Sequence, residues 1–299
     1  RPYQQEAFQA AADWIKVSTE PGVIEAATAS GKSHIVAAIA EFVYRVSGGL
    51  SVLCIAPNSD LVLQNREKYL LTGNPASILS ASAGDKCTRH AVIFGTPLTV
   101  KNNLARLADR VACVVLDEAH GLTPTVIEVI EKLRAKRPKV RVLGLTATPY
   151  RMGTGYIYEF DSNNRFVEQA IDPYFKKQIY HISAHLLLSQ GYLTRPLIGV
   201  VNESYDTSEL VLVGDKYTPD SLDRAFTGKG RLTAEIVADI VSHGAHRMGV
   251  MIFAATVRHA QEIMESLPPE LSMMIGGDIN TKKADRKKLV DRYRARGFK

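Results

Sequence analysis

Two rhythms of apolar residues alternate along the first half of the chain. Short β-branched runs, 23-VIEA-26, 52-VLCIA-56, 91-AVIFG-95, 111-VACVVL-116 and 140-VRVLGL-145, predict strands. Between them, 33-SHIVAAIAEFVYRV-46, 60-DLVLQNREKYLL-71 and 125-TVIEVIEKLRAK-136 space their apolar residues as helices do. In the first of these, Ile35, Val36, Ile39, Phe42, Val43 and Val46 share one face. Strands that alternate with helices predict an α/β fold on a parallel sheet, whose ligands bind beyond the carboxyl ends of the strands. The lone Trp14 falls on an early helix with Phe8 and Ala11 and reads as core.

The pattern weakens after Pro149. The stretch 151-RMGTGYIYEFDSNNRF-166 mixes glycines, aromatics and polar residues and predicts loop or hairpin. Next, 185-HLLLSQGYLTRP-196 predicts a short helix ending at Gly191, ahead of a Pro-led strand 197-LIGVV-201. Alternation then resumes: helix 230–243, strand 248-MGVMIFA-254, helix 257–267, strand 272-SMMIG-276 and a helix from about Lys283. These shifts divide the chain into a first domain at 1–150, an irregular linker at 151–195 and a second domain at 196–299.

Composition adds limits. With 299 residues, 45% hydrophobic and 23% charged, the chain is long enough for two ordinary globular cores. A net charge of +6 leans mildly toward polyanionic partners. The three cysteines, Cys54, Cys87 and Cys113, form no Cys-x-x-Cys pair, which argues against a zinc ribbon and suits a reducing cytoplasm. No leader pattern or long uncharged apolar run marks the chain for secretion or a membrane. The basic run 281-TKKADRKK-288 reads as a solvated helix face.

Chemistry enters at 26-AATASGKS-33, where Gly-Lys-Ser stands between a strand and a helix. This is the context of a phosphate loop: N–H groups at a helix start, aided by the helix dipole, face an anion. The expected cradle is Thr28, Ala29, Ser30, Gly31, Lys32, Ser33 and His34, with Lys32 on the β- and γ-phosphates and Ser33 on magnesium. Ala26 and Ala29 stand where glycines are usual, so the same residues also fit a Gly-capped turn with an exposed lysine. At 111-VACVVLDEAH-120 an apolar strand runs into paired carboxylates. Beside a phosphate loop, Asp117 suits holding magnesium through water and Glu118 suits activating the attacking water; alone, the pair would read as an acidic helix cap. A third strand, in 143-LGLTATPYR-151, ends in Thr146, Ala147 and Thr148, on the same expected sheet edge.

The order and spacing of these three motifs resemble the first motor lobe of superfamily 2 helicases and translocases of the Asp-Glu-Ala-His kind. The resemblance implies two RecA-like lobes with parallel sheets, the second incomplete, with ATP and Mg2+ expected in the cleft between them. Three further strings extend it. 1-RPYQQEA-7 is similar to an adenine-reading motif, with Arg1 and Gln4 at the base. 56-APNSDLVLQ-64 and 94-FGTP-97 are similar to loops gripping a nucleic-acid backbone, which assigns Pro57, Asn58, Gln64, Gly95, Thr96, Pro97 and, beyond them, Arg151 to the polymer. 252-IFAATVRHA-260 is similar to the strand opening the second lobe. His120 would bridge the ATP site to the Thr-Ala-Thr segment or the second lobe. TPYRMGTG and LLSQGYL resemble bacterial RadD (YejH) proteins, which implies DNA as polymer, a role in DNA repair and recombination, and a single-stranded-DNA-binding protein as partner. The family's later motifs, with their arginine fingers, are not found, so the chain is expected to bind nucleotide and turn it over slowly, if at all. Rival readings are a double-stranded DNA translocase, an RNA helicase, a DNA-structure-binding scaffold with a vestigial ATP site, and a metabolic phosphate-loop kinase.

Overall fold

The computed structural model describes residues 1–196, 199, 202–214, 216–269, 272–276 and 283–295. It divides into two units, Arg1–Arg195 and Pro196–Lys299.

The first unit is built on one sheet. Its strands are β1 (Gly22–Ala26), β2 (Ser51–Ile55), β3 (Ala76–Ser80), β4 (Asp85–Lys86), β5 (Val92–Gly95), β6 (Val111–Asp117) and β7 (Arg141–Thr146), followed by β8 (Tyr150–Arg151), β9 (Gly155–Tyr156), β10 (Tyr158–Phe160) and β11 (Phe175–Ile182). The nine-stranded order is β10-β11-β1-β7-β6-β2-β5-β3-β4, and every neighbouring pair is parallel except β3 with β4. β8 and β9 form a separate antiparallel hairpin inside the stretch expected to be loop or hairpin. The helices are α1 (Pro2–Val17), α2 (Lys32–Val46), α3 (Ser59–Leu70), α4 (Pro97–Asn102), α5 (Pro124–Lys136) and α6 (Ala184–Ser189).

Both sheet faces are covered, which explains the continuous apolar runs. Along β2, Val52 and Cys54 join the core containing α1, α2 and α3, whereas Leu53 and Ile55 join the core containing α4 and α5. β6 alternates in the same way, with Cys113 and Val115 on one side and Val114 and Leu116 on the other. Burial pushes the Cys113 thiol up to about 12, so it behaves as an apolar filler.

Among the strands not legible from apolar patterning are β3 and β11. β3 is fully buried yet carries Ser77 and Ser80, whose hydroxyls pair with His90 and Ser82. β11 contains Lys176, Lys177 and Gln178, and it lies in the zone expected to be irregular. Gln178 is tolerated inside because its amide donates to Glu25 Oε2 (2.5 Å) and Tyr158 Oη (3.1 Å).

The second unit contains α7 (Pro219–Phe226), α8 (Gly230–Gly244), α9 (Val257–Glu265) and α10 (Lys283–Arg294), with a hairpin of β12 (Leu212–Val213) and β13 (Lys216–Tyr217). Here two expectations fail: residues 248–254 and 272–276 form no strand. A strand exists only through hydrogen bonds to neighbours, and among the described residues these segments have none in a sheet. Several of their apolar side chains stay exposed, Met251 at 64% and Phe253 at 87%. The strand expected at 197–201 lies outside the described residues except for Gly199. A small core does form, with Tyr205, Phe226 and His259 packed ring on ring.

Candidate functional site

Five of the strands described above end on one edge in the order β1, β7, β6, β2, β5. The five segments that leave them carry every site residue expected from the sequence except Arg1, Gln4, Gln64 and Arg151. A parallel sheet places all strand carboxyl ends together, so side chains more than a hundred positions apart become neighbours.

The phosphate loop leaves β1 at Ala26, which is fully buried in the core. Ser30 N–H donates to Ala27 O (3.1 Å) and His34 N–H to Gly31 O (2.9 Å), closing the turn into α2. Gly31 caps α2 at φ +83°, and a Cβ there would lie 2.4 Å from Gln4 Nε2. Only glycine satisfies both conditions. Ala29 also takes a left-handed φ, +63°, at a cost of about 1–2 kcal/mol for a residue with a Cβ. Thr28, Ala29 and His34 are exposed, while Ser30 is buried and its Oγ has no hydrogen-bond partner among the described residues. The loop is tied to α1: Gln4 Nε2 and Tyr3 Oη both donate to Ser30 O, at 2.9 and 3.0 Å. Arg1 donates to Tyr3 Oη (2.9 Å) and lies 4.7 Å over the Tyr192 ring.

Opposite stands the acidic turn. Asp117 is the last residue of β6 and is buried; Glu118 follows at φ +51°, ψ +51°. That conformation is costly for a non-glycine residue, and such strain collects at functional sites. Lys32 Nζ lies 3.5 Å from Glu118 Oε1. Burial pushes the Asp117 carboxyl above its usual range, and the neighbouring Glu118 adds to this. A hydrogen bond from Asn65 Nδ2 to Asp117 Oδ2 (2.7 Å) works the other way. Gln64, expected on the polymer face, donates through Nε2 to Ser33 Oγ (3.1 Å). Ser33, Asp117 and Glu118 supply only oxygen donors, the kind magnesium takes when it shares its shell with phosphates. Asn65 Oδ1 and Ser30 Oγ are buried acceptors with no partner among the described residues. The residues present therefore fit a hydrated cation and a phosphate.

His120 joins this turn to the next strand end. Its Nδ1 lies 2.8 Å from Thr146 Oγ1, 3.3 Å from Thr148 Oγ1 and 3.3 Å from Glu118 Oε2. Thr148 N–H donates to Thr146 Oγ1 (3.1 Å), so the Thr146-Ala147-Thr148 turn is held beside the acidic pair. Arg151, expected on the polymer, donates to His120 O and to Leu122 O (3.2 Å).

The remaining expected residues continue the same edge. Pro57 and Asn58 follow β2; the Asn58 side chain caps α3 by accepting from Asp60 N–H (3.1 Å) and Leu61 N–H (3.0 Å). Gly95 ends β5, where a Cβ would meet Val100 Cγ2 at 2.5 Å and Leu79 O at 3.0 Å. Thr96 caps α4, with Pro97 at its first position, and Thr96 Oγ1 donates to Thr99 Oγ1 (3.2 Å). Sequence reasoning missed Asn65, although its spacing from Val62 and Tyr69 puts it on the buried stripe of α3.

The ATP-dependent DNA helicase mph1 of Sclerotinia sclerotiorum is 33% identical over 136 residues, 41% of this chain and 11% of its own length. The ATP-dependent DNA helicase fml1 of Schizosaccharomyces pombe is 32% identical over 136 residues, 41% of this chain and 16% of its own. The chain thus spans only 11 to 16% of the length of these curated relatives. Among solved structures, the Hef helicase domain of Pyrococcus furiosus is similar at 27% identity and a TM-score of 0.42, covering 51% of this chain and 34% of that one. The UvsW helicase from bacteriophage T4 is similar at 21% identity and a TM-score of 0.41, covering 49% and 52%. Residues 1–151, just over half of the 299, match the family described as type III restriction enzyme, res subunit, and the chain belongs to that family.

Proposed function

We propose that this protein is a DNA-dependent ATPase of the superfamily 2 helicase type, which couples ATP hydrolysis to movement on DNA or its remodelling in repair and recombination. The observation that carries the proposal is the meeting of Lys32 with Glu118 at 3.5 Å, beside a buried Asp117, across two different strand ends. The relatives' description as ATP-dependent DNA helicases supports it. Two lobes belong to the same proposal, the second at 196–299 and the first at 1–150 with β10 and β11 added to its sheet in place of the expected 151–195 linker.

Each residue then has a role. Arg1 and Gln4 read the adenine. Backbone N–H groups of residues 28–34 and the Lys32 ammonium bind the phosphates. Ser33 and Asp117 would hold Mg2+, which supplies charge neutralisation to the phosphates when bound. Glu118 orients the attacking water and accepts its proton; releasing its contact with Lys32 to the phosphates would free the carboxylate for this. His120 carries the state of the acidic turn to Thr146, Ala147 and Thr148. Pro57, Asn58, Gly95, Thr96 and Pro97 contact the DNA backbone, so binding is salt-sensitive and weakly sequence-dependent. Closer kinship with bacterial RadD proteins and a single-stranded-DNA-binding protein as partner rest on the TPYRMGTG and LLSQGYL strings, and a cytoplasmic location on the isolated cysteines. Among the described residues, no helix is long and apolar enough to cross a membrane.

The test is ATP hydrolysis by the chain and by Lys32→Ala, with no polymer, single-stranded DNA, duplex DNA or RNA. Stimulation by DNA, lost in Lys32→Ala, is expected. DNA binding with no nucleotide turnover or binding in any condition would instead establish a scaffold. The restriction-enzyme family match favours one second reading, a duplex translocase. Stimulation by duplex DNA without strand displacement would select it.

A further inference from the structure

We infer that Gln64 and Asn65 are positioning residues through which α3 links the DNA-facing loop to the nucleotide site. The inference rests on the function proposed above and adds a route between its two ligands.

α3 touches the ATP machinery twice, through consecutive side chains. Gln64 Nε2 donates to Ser33 Oγ at 3.1 Å, and Asn65 Nδ2 donates to Asp117 Oδ2 at 2.7 Å. These are the two residues assigned to the cation. Asn65 is 1% exposed, and its Oδ1 has no partner among the described residues. A buried amide with one unused acceptor costs stability, so its apolar stripe position, between Val62 and Tyr69, calls for a reason beyond packing. Holding the Asp117 carboxylate in one rotamer is such a reason.

The other end of α3 begins at Asn58, whose side chain caps the helix on Asp60 and Leu61. Asn58 and Asn65 are seven residues apart, about 10 Å along a helix axis. A helix over that length moves as a rigid body. DNA that shifts the Pro57–Asn58 loop therefore shifts Gln64 and Asn65, and with them Ser33 and Asp117. Binding coupling of this kind is reciprocal: nucleotide must change DNA affinity by the same factor.

The test measures binding of a fluorescent ADP analogue to the whole chain with Mg2+, with and without a single-stranded oligonucleotide. Lys32→Ala is the control for the nucleotide site. Wild type is expected to show at least about five-fold linkage, the lower end of ordinary allosteric coupling. Asn65→Leu, which keeps volume and removes the amide, is expected to reduce the linkage below about two-fold. It is also expected to raise the Mg2+ concentration needed for half-maximal nucleotide binding, a shift that a purely structural role would not produce. Asn65→Ser carries the same test if the leucine variant fails to fold, as checked by circular dichroism. Undiminished linkage and an unshifted Mg2+ requirement in a folded variant would overturn the inference, as would a wild type without linkage. If wild type binds no nucleotide, or Lys32→Ala binds it equally well, the proposed function falls first and the inference with it.

Discussion

Asp117 and His259 are both buried titratable side chains, one in each unit, and they are treated in opposite ways. His259 is satisfied at both ring nitrogens: Ala255 N–H donates to Nδ1 (3.2 Å), and Nε2 lies 3.0 Å from Tyr205 Oη. Phe226 stacks on its ring at an interplanar angle of 21°. Burial holds its pKa below the usual histidine range, so the neutral ring suits its surroundings. Asp117 is instead pushed up by burial and by the neighbouring Glu118 carboxylate, although Asn65 Nδ2 (2.7 Å) and Glu118 N–H (3.0 Å) each donate to one of its oxygens. A neutral ring closed inside an aromatic cluster serves the fold, whereas a buried carboxylate beside a second one at the end of a strand suits a cation.

Four substitutions sharpen that contrast, and the largest effect falls on the site. Glu118→Gln should lower ATP hydrolysis by about 10²–10⁴-fold, the usual weight of a general base, while nucleotide binding persists. Steady-state turnover beside equilibrium binding measures both; a rate unchanged in a variant that still binds ATP removes Glu118 from the chemistry.

His259→Ala should cost the second unit about 2–3 kcal/mol, because it deletes a stacked ring and leaves Ala255 N–H without its side-chain acceptor. Hydrogen exchange over residues 230–265 would report the loss, and unchanged protection there would refute it.

Asp117→Asn should act in the opposite direction, raising Tm by roughly 2–4 °C while abolishing turnover, the usual trade at a functional site. The sign follows from linkage. The folded pKa of Asp117 lies above its unfolded value, so the folded state binds more protons in that window and stability falls as pH rises through it. Above that window the full cost is present, and asparagine removes it. A lower Tm would mean that the carboxylate is needed by the fold.

The smallest effect is the pH response of His259. Its folded pKa is depressed, so below about pH 6.5, the ordinary histidine value, the unfolded chain takes up a proton that the folded chain refuses. Stability of the second unit should hold above that value and decline as pH falls beneath it. His259→Gln should flatten this slope in exchange measurements between pH 5.5 and 7.5; an equal slope in both proteins would assign it to other groups.

The sequence by itself determined the alternation of the first unit, the three motif loops and their place at strand ends. Each is a local matter: 3.6- and two-residue periodicity, a Gly-Lys-Ser opening a helix, carboxylates after an apolar run. Only the tertiary structure decided that β11 completes the sheet, because Gln178 becomes acceptable there once Glu25 and Tyr158 meet it across neighbouring strands. The same holds for Asn65 and Gln64, whose partners stand 52 and 31 positions away in the chain. The second unit teaches the converse: 248-MGVMIFA-254 and 272-SMMIG-276 have strand-like composition without strand structure, since pairing is a property of two segments and composition a property of one.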